Sequence, residues 1–217
     1  MPLDLPATAS IRYVDRKTLP ELRREFPELD HLEIVAPDIV DDGARLDSVP
    51  DESVDFVVAN HFIEHCEDPI GVLEHHCRVL RPGGILFLAL PDRRRQDVDR
   101  ARDPVSISHH VQDHEQSPAW SRETHYEEWV RAADIPLGLV RPEDVDSAAS
   151  EHMRRGTAIH FHAWTRSEFV RLVQHCREAG LPLAVRAACQ NFHEFIVILE
   201  KEREMGAAGF EPATSRV

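Results

Sequence analysis

SVDFVVANHFIEHCEDPIGVLEHHCRVLRPGGILFLALPD, residues 53–92, divides into strand, loop, helix, turn and strand. Residues 54–59 are a short apolar run rich in β-branched side chains. They are too few for a helix, and the pattern predicts a strand buried on both faces. Asp68 and Pro69 then open a helix: the carboxylate caps free N–H groups, and proline fits a first helical position, where an N–H has no partner anyway. Ile70, Leu73, Cys77 and Leu80 follow as one apolar stripe. Arg78 and Arg81 lie near the negative end of the helix, and Pro82, Gly83 and Gly84 are expected to stop it. Residues 85–90 are the second buried strand. A strand–helix–strand unit of this length joins parallel strands by a right-handed crossover. Ligands of such sheets bind beyond the carboxyl ends of the strands, here at Asn60, His61 and Phe62 and at Pro91 and Asp92.

Working outward, the composition narrows the function. The chain has 217 residues, of which 42% are hydrophobic, enough for one domain with a full core. The net charge of −14 argues against nonspecific binding to nucleic acid or an anionic membrane, which needs positive surface. Arg93, Arg94 and Arg95 are consecutive and read as a solvated loop. No apolar run is long enough for a membrane span, and the first residues lack the pattern of a signal peptide. Four cysteines form no C-x-x-C pair, so reduced thiols and a cytoplasmic location are expected.

Residues 51–92 resemble the second half of the class I S-adenosylmethionine (SAM) dependent methyltransferases, of the type 11 kind. Three pieces carry the resemblance: Asp51-x-Ser53-x-Asp55-x-Val57 entering the first strand, Glu64-His65-x-x-Asp68-Pro69 after it, and Arg78 to Gly84 (RVLRPGG) before the second. It implies an α/β fold, a Rossmann-like doubly wound and mostly parallel sheet closed by a C-terminal antiparallel strand pair. It also implies SAM as methyl donor. Tyr13, Val14 and Asp15 resemble the end of an earlier strand whose acid takes both ribose hydroxyls, and a carboxylate accepts two hydrogen bonds from a vicinal diol. Asp38 would meet the adenine amino group and the Ile39 backbone N–H a ring nitrogen. Asn60 and His61 would line the cofactor and transfer site. His65, His160 and His162 are the candidates for acceptor contact or proton removal. The acceptor would be a small molecule or of glycan or lipid type.

One departure bears on activity. The family's first strand and glycine-rich loop should stand just before Ile11, yet MPLDLPATAS has no glycine and no β-branched run. Glycine there lets backbone N–H groups approach the methionyl part of SAM. The chain therefore reads as lacking the front of the fold. An open sheet edge would invite pairing with a second copy, a homodimer. A non-catalytic scaffold built on the same fold is the alternative.

Elsewhere the pattern predicts a single domain over residues 1–204, an insertion over 93–160 that covers the site, and a tail over 205–217. Residues 1–10 are expected to be a loop or arm. Strands are expected at 11–14 and 32–35, with a connecting loop over 41–53. Helices are expected at 18–26, where Thr18 and Glu21 have capping-box spacing, and at 120–133, 143–155 and 165–179, the last with Thr165 and Glu168 as its box. Residues 183–188 and 194–200 form the closing strands, joined by Cys189, Gln190 and Asn191.

Fourteen histidines raise the question of metal. His61-x-x-Glu64-His65 formally matches a zinc-peptidase pattern. That pattern needs a helix and a third ligand, whereas here it follows directly on a strand, so no metal site is expected from it. His75 and His76 read as surface or boundary residues of a helix. His109, His110 and His114 read as solvated in a polar loop. His160 and His162 flank Phe161, and alternation along an extended chain would put both imidazoles on one side.

Overall fold

The structure, a computed structural model, describes residues 6–29 and 31–203. The expected 205–217 tail lies outside the described residues. The strand–helix–strand unit forms as the sequence dictates. Strand β3 (Val54–Asn60) pairs in parallel with β4 (Leu80–Pro91), in register from Phe56 opposite Ile85 to Asn60 opposite Ala89. Helix α2 (Pro69–Val79) crosses between them. Asp68 caps it, its carboxylate accepting the Gly71 N–H at 2.8 Å.

α2 stops earlier than the glycines. Leu80 is already extended and pairs with Val54, because the residue before Pro82 is barred from helical geometry and the chain must straighten ahead of it. Gly83, at φ +85°, and Gly84 then let β4 turn beside β3.

Helix α6 (Arg166–Glu178) is also legible locally. The Glu168 carboxylate accepts the Thr165 N–H at 2.7 Å, and Thr165 Oγ1 accepts the Glu168 N–H at 3.4 Å. It leads into the antiparallel pair β5 (Leu183–Asn191) and β6 (Glu194–Lys201). The sheet order is β3-β4-β6-β5, with β6 antiparallel to β4. The fold is thus α/β and Rossmann-like, closed by the expected antiparallel pair. The turn between β5 and β6 falls at Phe192 and His193, and Cys189, Gln190 and Asn191 are still strand. The core lies between the sheet and its helices and includes Leu73, Leu86, Leu88, Phe169, Phe195 and Leu199, all fully buried.

Several expectations are corrected. The predicted strand at 11–14 shrinks to β1 (Val14–Asp15), and none forms at 32–35, where Leu32 and Val35 are exposed. β1 pairs instead with β2 (Ile39–Val40), as a two-stranded parallel sheet apart from the main one. β3 is not buried on both faces. It is the edge of the four-stranded sheet, and Val58 keeps 38% of its surface exposed. Between β1 and β2, helix α1 (Leu19–Glu25) follows Thr18, whose N–H and hydroxyl both donate to Glu21.

The insertion is helical. The segment read as a polar loop contains α3 (Ile107–Gln116), capped by Ser106. Helix α4 (Arg122–Trp129) runs into a π-helical turn, Val130–Asp134, and α5 (Val145–Arg155) follows. Tyr126, Val130, Val145, Ala149, Ile159 and Phe161 give it a small core of its own.

Candidate active site

At the tip of β3 the chain turns sharply. His61 takes φ +49°, a left-handed conformation uncommon for a residue with a side chain. Its N–H donates to the Ala89 carbonyl at 2.8 Å, and its Nε2 lies 2.7 Å from Glu194 Oε2, at the start of β6. The turn of 3-10 helix that follows, Ile63–His65, swings Glu64 inward. Glu64 is fully buried, and neither carboxylate oxygen has a hydrogen-bond partner among the described residues. His61 Nδ1 stands off at 3.6 Å. Burial raises the Glu64 pKa above the ordinary carboxylate value.

Two imidazoles face this carboxyl group. His65 Nδ1–H donates to the Ile159 carbonyl at 2.9 Å, which leaves Nε2 with its lone pair, and burial holds the His65 pKa below the usual value. His160 Nδ1–H donates to the buried Asp99 Oδ2 at 2.7 Å. The two rings meet edge to face, centroids 4.9 Å apart. One ligand-type atom from each of Glu64, His65 and His160 lies within 4.8 Å of the others. Arg102 braces the arrangement: it donates to Asp99 at 3.2 Å and to the carbonyls of His160 and Phe161 at 2.7 and 2.9 Å.

His160 and His162 do not share a side as expected. The chain between α5 and α6 is irregular here, so strand alternation does not apply. His162 is fully buried and belongs to a second cluster, with Nδ1 3.3 Å from the Cys66 carbonyl and Nε2 3.1 Å from Asp113 Oδ2. It thus sits in a group separate from His65 and His160.

Beside the β3 tip lies a cavity of about 810 Å³. Tyr13, Val14 and Ile39 line one wall and the open edge of β3 to Asn60 the other, with Phe62 and His76 also lining it. The volume is in the range of small-molecule sites. Asp15 ends β1, whereas Asp38 precedes the first residue of β2, so the two stand at opposite ends of the parallel pair. Asp15 Oδ1 accepts the Lys17 N–H at 3.1 Å. Asp38 Oδ2 accepts the Tyr13 N–H at 2.8 Å, and the Ile39 N–H donates to the Tyr13 carbonyl at 3.1 Å. Both atoms that the resemblance assigns to adenine thus already serve the β1–β2 link.

Residues 13–88, about a third of the chain, match the family described as "Methyltransferase domain". The match runs from β1 into β4 and includes Asp15, Asp38, Asn60, His61, Glu64 and His65. This segment is similar to that domain. The methyl donor of this class is SAM. Among curated proteins nothing matches. Solved structures similar to the chain include a SAM-dependent methyltransferase from Methanosarcina mazei, with 17% identity, TM-score 0.43, and coverage of 88% of this chain and 81% of that one. Another, from Haloferax volcanii, is a complex of the Trm112 methyltransferase activator with a methyltransferase, at 13% identity and TM-score 0.44, covering 88% and 71%. A third is a SAM-dependent methyltransferase from Aquifex aeolicus, at 12% identity and TM-score 0.42, covering 87% and 66%.

The cavity, lined by Tyr13, Val14, Ile39 and Phe62, has the size for the nucleoside end of SAM, but Asp15 and Asp38 are not among its lining residues. The first glycine of the sequence is Gly43, after β2. Hydropathy gave no sign of Glu64, Asp99 or Glu194. Only the Glu64-His65 pair inside a recognisable motif pointed toward the first of them.

Proposed function

We propose that the chain binds SAM against the ends of β1, β2 and β3 and catalyses transfer of its methyl group to an acceptor held at His65 and His160. The parallel tips of β3 and β4, opening beside a cavity within the methyltransferase segment, support this reading. Bound SAM supplies a methyl group on a sulfonium, itself a good leaving group, so the protein's task is proximity and alignment. Asp15 would take the ribose hydroxyls, Asp38 and Ile39 the adenine, and Asn60 and His61 the region of transfer. His65, with a free Nε2 lone pair, is the group to take an acceptor proton. His160, oriented by Asp99, would hold the acceptor. Residues 1–204 would act as one domain, with 93–160 closing over a small-molecule, glycan or lipid-type acceptor.

Titration calorimetry with SAM and its demethylated product tests the reading, and micromolar binding is expected. No heat at millimolar SAM sinks it and favours the second reading, a non-catalytic scaffold. One observation favours that alternative: the Ile39 N–H and one Asp38 oxygen are already engaged by Tyr13.

A further inference from the structure

We infer that His109, Asp113, His125 and His162 form a four-ligand site for a divalent transition-metal ion of the zinc type, clamping the insertion onto the fold. His109 and Asp113 stand one turn apart on α3, His125 comes from α4, and His162 from the segment ahead of α6. Their ligand atoms all lie within 4.8 Å of one another, and three of the four residues are buried. Nε2 of His109 is 3.1 Å from Nε2 of His125 and 3.1 Å from Asp113 Oδ2, and His162 Nε2 is 3.1 Å from the same oxygen. Ligands about 2.0–2.1 Å from a tetrahedral ion stand about 3.3–3.4 Å from each other. The cluster is nearly at that spacing.

Proton counting points the same way. Both nitrogens of fully buried His162 face oxygen acceptors, the Cys66 carbonyl and the Asp113 carboxylate. A neutral imidazole has one N–H and satisfies one of them. Given to Cys66, that proton leaves the Nε2 lone pair aimed at a carboxylate lone pair. A cation between them accepts both.

Two of the four ligands, Asp113 and His162, have the outer partners of a metal site. Ser121 Oγ–H donates to the other Asp113 oxygen at 2.7 Å, and the Cys66 carbonyl orients His162. Buried His125 Nδ1 has no hydrogen-bond partner among the described residues, and its nearest acid, Glu128 Oε2, is 3.7 Å away. His110 is excluded from the set, since its Nε2 accepts the Trp164 indole N–H at 3.1 Å.

Three imidazoles and one carboxylate suit zinc and its neighbours rather than calcium or magnesium. Four protein ligands fill a tetrahedral shell, so the role is structural. The ion would tie α3 and α4 to the turn after β3, through His162 and Cys66. None of this depends on SAM binding.

The test uses the untagged chain, stripped of metal by a chelator and titrated with Co2+, followed by metal analysis after reloading with Zn2+. We expect one equivalent per chain, the visible absorption of tetrahedral cobalt, and a higher melting temperature on loading. His125→Ala and His109→Ala should each weaken Co2+ binding more than tenfold, and Ser121→Ala about tenfold. His114→Ala, on the same helix but bonded to Asp68, should bind like the parent. Folded parent protein that takes up no stoichiometric Co2+ or Zn2+ overturns the site, leaving a hydrogen-bonded imidazole–carboxylate network. Full binding by the His109→Ala/His125→Ala double variant overturns it equally.

Discussion

Glu64 makes the stability of the β3 tip depend on pH. Its carboxyl is buried without partners, and its folded pKa lies above the unfolded one. As pH rises through the ordinary carboxylate value, the unfolded chain releases this proton first. The folded state then holds the extra proton, and stability falls with rising pH. Glu64→Gln should therefore raise stability at pH 7 by roughly 1 kcal/mol, or about 2–4 °C in melting temperature. A variant that melts lower at pH 7 would contradict this.

His76 works in the opposite sense. It is buried on α2 and its Nε2–H donates to the Gly43 carbonyl at 2.9 Å, while Nδ1 is without a partner and burial holds its pKa low. Below the unfolded value near 6.5, the unfolded chain binds a proton that the folded chain refuses. Stability is present above that pH and is lost as pH falls toward the folded value. His76→Gln keeps the donor to Gly43 and has nothing to titrate. Between pH 6.5 and 5, the parent's unfolding free energy from urea titrations should fall more steeply than the variant's, by up to about 1.4 kcal/mol per pH unit. Parallel pH curves would show that His76 does not titrate as its burial requires.

Among the elements, the turn from α2 into β4 is closely packed. A Cβ on Gly84 would lie 2.8 Å from the Arg81 carbonyl and 3.2 Å from that of Asp55, both backbone atoms that cannot step aside. Gly83 has φ +85°, and its nearest neighbour is the movable Arg203 side chain. Gly83→Ala should cost about 1–2 kcal/mol for the left-handed backbone, and Gly84→Ala more, because β3 and β4 must part. Chemical denaturation of both variants checks the order; a milder Gly84→Ala would contradict the contact.

At this scale the gap between sequence and structure also has a physical cause. The helices with apolar stripes and local caps, α2 and α6, were legible because Asp68, Thr165 and Glu168 bond within four residues of themselves. α3 was not. Its buried face holds His110 and Asp113, so no hydrophobic period marks it. The strand expected at 32–35 failed for the converse reason: its apolar residues found no surface to pack against.

Over the whole molecule, the main sheet and the β1–β2 pair face each other across the cavity beside Asn60. Ligand that binds the folded state alone stabilises it, by about 2.7 kcal/mol at 100 times the dissociation constant. SAM at that excess should raise the melting temperature by several degrees, as about 2–4 °C corresponds to each kcal/mol in a chain of this size. An unchanged melt at millimolar SAM would agree with silent calorimetry and leave the scaffold reading.

The sequence by itself determined the strand–helix–strand unit, its parallel sense and the tips at Asn60 and Pro91, because short-range sterics, caps and one apolar stripe decide those. It also carried a methyltransferase resemblance over residues 51–92, most of which lie in the matched segment 13–88. Only the tertiary structure decided which histidines meet. Residues 64, 65, 99 and 160 converge, as do 109, 113, 125 and 162, across separations that no local pattern encodes. Buried polar groups must find partners wherever the fold brings them, and the folded chain alone shows where that is.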